Sequence, residues 1–136
     1  METKFNFNSQ VCTSRSQSER LLALGLKKET ADMHWYKPAQ FEHDYWFEGI
    51  GQEWSENDIP AWSLGRLIEM MKKKNVRISF YKTQIKVWGS IGRDIFEKAF
   101  YDKDNEWDNL CDCIEWLIKE GYFNKEYLED DHSRNG

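Results

Sequence analysis

The stretch IPAWSLGRLIEMMKKK, residues 59–74, carries the strongest local signal for secondary structure in this chain of 136 residues. Its apolar side chains recur at the spacing of one helix face: they are Leu64, Leu67, Ile68 and Met71. Ser63 can cap the N-terminus, because its hydroxyl accepts from free backbone N–H groups of the first turn. Lys72–Lys74 fall in the expected last turn, where cations complement the helix dipole. The stretch therefore predicts an amphipathic helix with one side in a hydrophobic core.

Two further helices are predicted, one on each side of the central helix. The first spans about residues 15–24, and Ser14 with Gln17 fits a capping box. The last spans about residues 106–120, with Asn105 as its cap and a continuous apolar face. A glycine follows each of these helices and can adopt the left-handed conformation that ends a helix.

Strand patterns follow the central helix. Residues 77–82 and 85–89 alternate apolar and polar side chains, as half-buried strands do, and residues 95–101 form a third expected strand. Residues 33–47 are expected to add an edge strand, and Gly49 with Gly51 a turn. These patterns predict an α+β fold in which three main helices pack on a small, mainly antiparallel sheet. We expect a single domain over residues 1–136, with residues 1–12 and 129–136 loosely ordered.

Composition narrows the cellular context. The chain has no run of about 18 apolar residues, so no membrane-spanning helix is expected. The first ten residues, METKFNFNSQ, lack the basic and then apolar layout of a signal peptide. Three cysteines, an odd number, fit a reducing compartment better than a disulfide scaffold. We therefore expect a cytoplasmic protein that is a monomer or a small homo-oligomer.

Three blocks in order resemble a group of short proteins of gut commensal bacteria, often carried on phages and other mobile elements. The blocks are SERLLALGLKKETADM at 18–33, IPAWSLGRLIEM at 59–70 and LCDCIEWLIKEGYF at 110–123. No catalytic or binding residues are established for that group, so the resemblance implies no activity. It does imply an accessory gene, a setting in which small partner-binding proteins are common.

No residue pattern predicts catalysis, a metal site or a cofactor. Cys111 and Cys113 are two positions apart on a predicted helix, so their side chains diverge by roughly 200°. We expect Cys111 in the core and Cys113 partly buried or exposed. His34 and His43 match no standard zinc spacing. Cys12 precedes a helix but has no identifiable histidine partner, so we expect an inert thiol and no enzymatic activity.

Protein binding is the favoured function. Residues 29–58 hold eight acidic side chains and one basic side chain, and seven tryptophans is a high number for this length. Aromatic side chains among carboxylates suit an interface with a basic protein partner. The residues expected to bind that partner are Tyr45, Trp46, Phe47 and Trp54. The structural alternative, in which these rings cover the core under a long loop, is left open.

Nucleic-acid binding is the alternative function. Residues 66–103 hold ten basic and four acidic side chains, and aromatic residues lie between the basic ones. Basic and aromatic side chains on a sheet can hold a single strand by charge and stacking. The candidate residues are Lys72, Lys73, Lys74, Arg77, Lys82 and Lys86. The acidic flanks and the net charge of −5 oppose phosphate binding, so ordinary alternating strands are the favoured explanation of this pattern.

Overall fold

The computed structural model describes residues 10–37, 47–51, 57–81, 84–101 and 103–129. The described residues divide into two compact units: the first lies within residues 11–69 and 125–129, and the second comprises residue 10 and the described part of residues 70–124. Helices and antiparallel strands occur together, which confirms the α+β class. The strands form two sheets of three strands each, where the sequence predicted one sheet. The single-domain organisation stays a prediction.

Helix α1, Arg15–Ala23, begins and ends as predicted. The Ser14 hydroxyl accepts from the backbone N–H of Gln17, and the Gln17 side chain accepts from the backbone N–H of Ser14. Gly25 has φ of 109°, and the next backbone N–H, that of Leu26, returns to the carbonyl of Leu21 at 3.2 Å. This is the left-handed helix stop that the glycine permits.

The first sheet has the strand order β2-β1-β3, with β1 at Met33–Tyr36, β2 at Phe47–Ile50 and β3 at Ile59–Ala61. Both pairings are antiparallel. The prediction that Gly49 lies in a turn is wrong, because Gly49 is inside β2 opposite His34. Strand β3 contains Pro60, which a sheet tolerates at an edge where no N–H group is required.

The core of the first unit contains a buried tryptophan whose backbone and indole polar groups all form hydrogen bonds. Trp62 is buried, and its backbone exchanges hydrogen bonds with Thr13 at 2.9 and 3.1 Å. Its indole N–H donates to the Thr30 hydroxyl at 3.0 Å. Trp35 packs beside the buried Cys12 and donates its indole N–H to the Thr13 carbonyl at 2.8 Å. Hydrogen bonding by the buried N–H groups limits the penalty of placing them away from water.

Helix α2, Leu64–Met71, begins at the predicted cap. The Ser63 hydroxyl accepts from the backbone N–H of Arg66 at 3.2 Å and donates to the Asp32 carboxylate at 2.6 Å. Leu67 and Met71 are buried, whereas Leu64 and Ile68 are half-buried. The placement of Lys72–Lys74 in the last turn was wrong, because α2 ends at Met71 and the lysines follow the helix.

The second sheet is the antiparallel meander β4-β5-β6 predicted from sequence alternation. Its strands are Val76–Phe80, Ile85–Ile91 and Asp94–Phe100. The chain enters β4 through Asn75, which has φ of 68°, a left-handed conformation that asparagine tolerates. The Asn75 carbonyl accepts from the backbone N–H of Ser90 at 3.0 Å and passes directly over Gly89.

Helix α3, Glu106–Lys119, packs on β5 and β6. The Asn105 side chain accepts from the N–H groups of Trp107 and Asp108, as expected for its cap. The prediction for Cys113 was wrong, because Cys111 and Cys113 are both fully buried. The buried face of α3 is wider than one stripe, so two side chains on diverging directions both reach the interior.

The end of the described chain returns to the start of the first unit. The backbone N–H of Lys27 donates to the Tyr127 carbonyl at 2.9 Å, and that of Glu129 donates to the Gly25 carbonyl at 2.7 Å. The guanidinium of Arg66 lies 5.5 Å from the centre of the Tyr127 ring. Residues 125–129 are therefore attached to this unit by backbone bonds and by a cation–π contact.

Candidate functional site

Of the predicted protein-binding segment, residues 45–54, the structure describes residues 47–51. Tyr45, Trp46 and Trp54 lie outside the described residues, and Phe47 opens strand β2 with 40% of its surface exposed. Its ring centre is 6.0 Å from that of Tyr36, the residue directly opposite on β1. The Tyr36 ring is in turn 5.7 Å from the ring of His34. One face of the first sheet therefore carries a row of three rings that begins buried and ends exposed.

Gly49 and Gly51 position the imidazole of His34 in this row of rings. A Cβ atom on Gly49 would lie 2.8 Å from Nε2 of His34, so the absence of a side chain leaves room for the imidazole. His34 Nδ1 donates to the Gly51 carbonyl at 3.1 Å, and the Gly51 N–H donates to the Asp32 carbonyl at 2.8 Å. These contacts hold the buried imidazole against the strand, and the ring of Tyr36 lies next to it.

The strand that carries Phe47 also exposes a large aliphatic side chain. Ile50, at the end of β2, has 88% of its surface exposed. Glu48 lies between them and is exposed as well. Phe47 shares a sheet face with Tyr36, whereas Glu48 and Ile50, which pair with Trp35 and Met33, lie on the other face of β2. We call the strand edge that carries Tyr36, Phe47, Glu48 and Ile50 the β1–β2 surface. Among the described residues β2 is an edge strand of its sheet, and edge strands present backbone groups that can pair with another chain.

The residues of the nucleic-acid alternative are partly brought together. Arg77 on β4 is exposed and pairs across the sheet with Trp88 on β5, which pairs with Glu97 on β6. Directly opposite residues share a face, so these three side chains form one row. Lys86, two residues before Trp88, is on the same face and forms an ion pair with Glu97 at 3.0 Å.

The remaining basic candidates are placed differently. Lys72, Lys73 and Lys74 lie between α2 and β4, outside both regular elements. Lys82 lies outside the described residues. Of the six residues proposed from the sequence, Arg77 and Lys86 are the two that the strand register places on one sheet face.

A groove crosses the row formed by Arg77, Trp88 and Glu97. It has a volume of about 760 Å³ and extends to Ser90 and to Ile95, whose side chain is 86% exposed. Alternation along the strands puts Arg77, Trp88 and Glu97 on the sheet face opposite α3, because Phe96 and Phe100, on the other face, contact Trp116 of that helix. The groove also borders the neighbouring rung of Val76, Gly89 and Phe96. We call Arg77, Tyr81, Lys86, Trp88, Ile95 and Glu97 the basic sheet face.

Tyr81 joins the basic sheet face at its other end. Its backbone N–H donates to the Gln84 carbonyl at 2.8 Å, which extends the β4–β5 pairing by one step, and half of its surface is exposed. The pKa of Lys86 is raised first by its hydrogen bond to Glu97, then by the charge of that carboxylate, with a further contribution from Tyr81.

The thiols of Cys12 and Cys113 are not activated as nucleophiles. Burial, assisted by the charges of Glu48 and Asp32, raises the pKa of the Cys12 thiol to about 12. Burial, assisted by Asp112, raises the pKa of Cys113 to about 12 as well. Since the thiolate is the nucleophilic form, neither group is activated near neutral pH. Within the described ranges, no three side chains of the His, Cys, Asp and Glu types lie close enough to hold a metal ion.

Sequence reasoning missed several of these residues. Tyr36, Ile50 and Ile95 were not singled out, since an isolated apolar residue near a strand end carries no local signal of exposure. Alternation alone could have grouped Arg77 with Tyr81, because residues four apart on a strand share a face. Placing Trp88 between Arg77 and Glu97 required the strand register.

Comparisons of the chain with protein-family models, with curated proteins and with solved structures found no match. Among the described residues, no helix has the length and apolar character needed to cross a lipid bilayer. The β1–β2 surface and the basic sheet face are therefore the two candidate functional sites.

Proposed function

We propose that the chain is a non-enzymatic accessory protein that binds a protein partner through the β1–β2 surface. The observation that carries this proposal is the exposed ring pair of Tyr36 on β1 and Phe47 on the edge strand β2, with the exposed Ile50 on the other face of the same edge strand. Aromatic and aliphatic side chains of this kind are the anchors of protein interfaces. The resemblance to proteins of phages and mobile elements supports an accessory role.

The negative charge around the β1–β2 surface favours a basic protein as the partner. Glu48 belongs to the surface, and residues 29–58 carry a net charge of −7. A basic protein is the complementary partner, because opposite potentials steer association and disfavour partners of like charge. An extended basic segment of the partner could pair along the edge of β2 while its apolar side chains contact Phe47, which is the strand-addition mode of recognition.

A capture experiment with matched variants tests the proposal. The protein would be immobilised, exposed to a lysate of its native bacterial host, and the retained proteins identified by mass spectrometry. Ile50→Ser and Phe47→Ala should each lose a basic partner that the unmodified protein retains. Ile95→Ser, which changes an equally exposed isoleucine in the second unit, should retain it. Trp46→Ala and Trp54→Ala extend the test to the predicted residues that lie outside the described structure.

Circular dichroism must show that each variant is folded. If folded Ile50→Ser and Phe47→Ala variants keep every partner, the β1–β2 surface is not the binding site. If Ile95→Ser loses the partner and Ile50→Ser does not, the interface belongs to the second sheet instead.

A further inference from the structure

The basic sheet face brings together cationic and aromatic side chains from different strands. Arg77 lies beside Trp88, and Tyr81 directly follows β4, four residues beyond Arg77 and roughly 13 Å away at the rise of an antiparallel strand. Trp88 is half-buried, so its ring is held by the sheet, while Tyr81 has 51% of its surface exposed. Two ring faces and two cations therefore line one open side of a three-stranded sheet.

The charge of this region is opposite to that of the whole protein. Residues 70–101 contain eight basic and two acidic side chains, a net charge of +6, whereas the complete chain has a net charge of −5. Glu97 is the one carboxylate among the described side chains of the basic sheet face, and Lys86 is bound to it. Arg93, in the turn between β5 and β6, is exposed and is a further cation of this region.

We propose that the basic sheet face binds single-stranded nucleic acid, with bases stacked on Trp88 and Tyr81 and with phosphates contacted by Arg77 and Lys86. Sheets that bind single strands use this combination of a positively charged track and aromatic stacking surfaces. The groove of about 760 Å³ beside Trp88 is within the size range of small-ligand sites and can accept a nucleotide. This proposal is independent of the protein-binding function, since the two surfaces share no residue.

Two competing ligands fit the surface less well. A duplex is read by a helix or ribbon that enters its major groove, and the basic sheet face is a groove-bearing sheet surface rather than a protruding element. An acidic peptide would use Arg77 and Lys86 but has no need of the Trp88 and Tyr81 rings. Stacking is sequence-tolerant, because every base has a π-face, so we infer binding with little sequence preference.

Fluorescence anisotropy with labelled oligothymidylate and oligouridylate of about 20 nucleotides, at about 50 mM salt, measures the binding directly. Labelled polyglutamate of equal length and a DNA duplex serve as the competing ligands. The expected result is saturable binding of both single strands, weaker binding of the duplex, and none of polyglutamate. The logarithm of the affinity should fall linearly with the logarithm of the salt concentration, because phosphate contacts release counterions.

Variants of exposed residues separate stacking from charge. Tyr81→Ala should weaken binding by roughly 5- to 150-fold, the effect of removing one stacking ring, and Tyr81→Phe should retain it. Arg77→Gln should lower the salt slope by about 0.7, the value for one phosphate contact to a single strand. Glu97→Gln should strengthen binding, because it removes a carboxylate and releases Lys86. Arg15→Gln, an equal charge change on α1, should leave binding unchanged.

Three outcomes would overturn the proposal. The first is no saturable binding of either single strand by the folded protein at low salt. The second is polyglutamate binding as tight as oligothymidylate binding with no effect of Tyr81→Ala, which would assign the face to an acidic polypeptide. The third is an equal loss of binding in Arg77→Gln and Arg15→Gln, which would make the attraction non-local.

Discussion

The close approach of two strands at Gly89 predicts that two glycine-to-alanine substitutions change stability in opposite directions. A Cβ atom at Gly89 would lie 2.1 Å from the Asn75 carbonyl oxygen and 3.0 Å from the Cα atom of Val76. Non-bonded carbon atoms rest at about 3.5–4.0 Å. Both neighbours are backbone atoms, so no side-chain rotation can make room. Gly89→Ala must therefore displace the start of β4.

The size of the effect follows from what that displacement breaks. Forced overpacking costs about 1–3 kcal/mol. Moving Asn75 also lengthens its hydrogen bond from the N–H of Ser90, now 3.0 Å, and such a bond contributes about 0.5–1.5 kcal/mol. We expect Gly89→Ala to lower the free energy of unfolding by about 2–4 kcal/mol, which at a slope of about 2 kcal/mol per M corresponds to a shift of about 1–2 M in the urea midpoint.

Gly65 provides the matched control. It lies in helix α2, is exposed, and a Cβ atom there would meet nothing within 4 Å. Gly65→Ala should raise the free energy of unfolding by about 0.5 kcal/mol, because alanine loses less backbone entropy in a helix. Urea unfolding followed by circular dichroism and tryptophan fluorescence measures both changes. Equal shifts for the two variants, or a stabilised Gly89→Ala, would refute the close approach.

Three further predictions concern buried polar and thiol groups. Asn109→Ala should lower the free energy of unfolding by about 2–3 kcal/mol, since the 2%-exposed Asn109 makes two hydrogen bonds to the loop before α3; an unchanged melting temperature would contradict this. The thiols of Cys12 and Cys113, whose pKa is raised to about 12, should resist alkylation by iodoacetamide at neutral pH. The free energy of unfolding should fall as the pH rises from about 9 to 12, because the unfolded chain loses thiol protons there and the folded chain keeps them. Cys113→Ala should make that fall shallower in a pH series of urea midpoints. Ser63→Ala should cost about 1–2 kcal/mol through loss of the α2 cap, whereas the exposed Ser16→Ala should be neutral in the same assay.

The elements predicted correctly are those specified by neighbours in sequence. Ser14 with Gln17, Ser63 and Asn105 each satisfy N–H groups only two or three residues away, so the helix starts could be read locally. The meander β4-β5-β6 follows from alternation and short connections. What failed depended on distant partners: β3 is a three-residue strand that exists because β1 pairs with it, and that pairing has no local signature.

The same distinction applies to the candidate surfaces. The basic charge between α2 and β6 was evident from composition, but composition could not show that Lys86 is engaged by Glu97. Nor could it show that Trp88 lies between Arg77 and Glu97, since that depends on strand register. The lysines after α2 show that a local pattern can also mislead. Their favourable charge near a helix C-terminus predicted that they belong to the last turn, but α2 ends at Met71.

The return of residues 125–129 to Gly25 and Lys27 has a consequence for biosynthesis. These backbone bonds join positions about a hundred residues apart, and the second unit lies between them in the chain. During translation the C-terminal segment of the first unit emerges only after residues 70–124, which are available earlier as one continuous stretch. A nascent chain stalled after Asn124 would lack the Lys27–Tyr127 and Gly25–Glu129 bonds, so the first unit is completed only after the second unit has been synthesised.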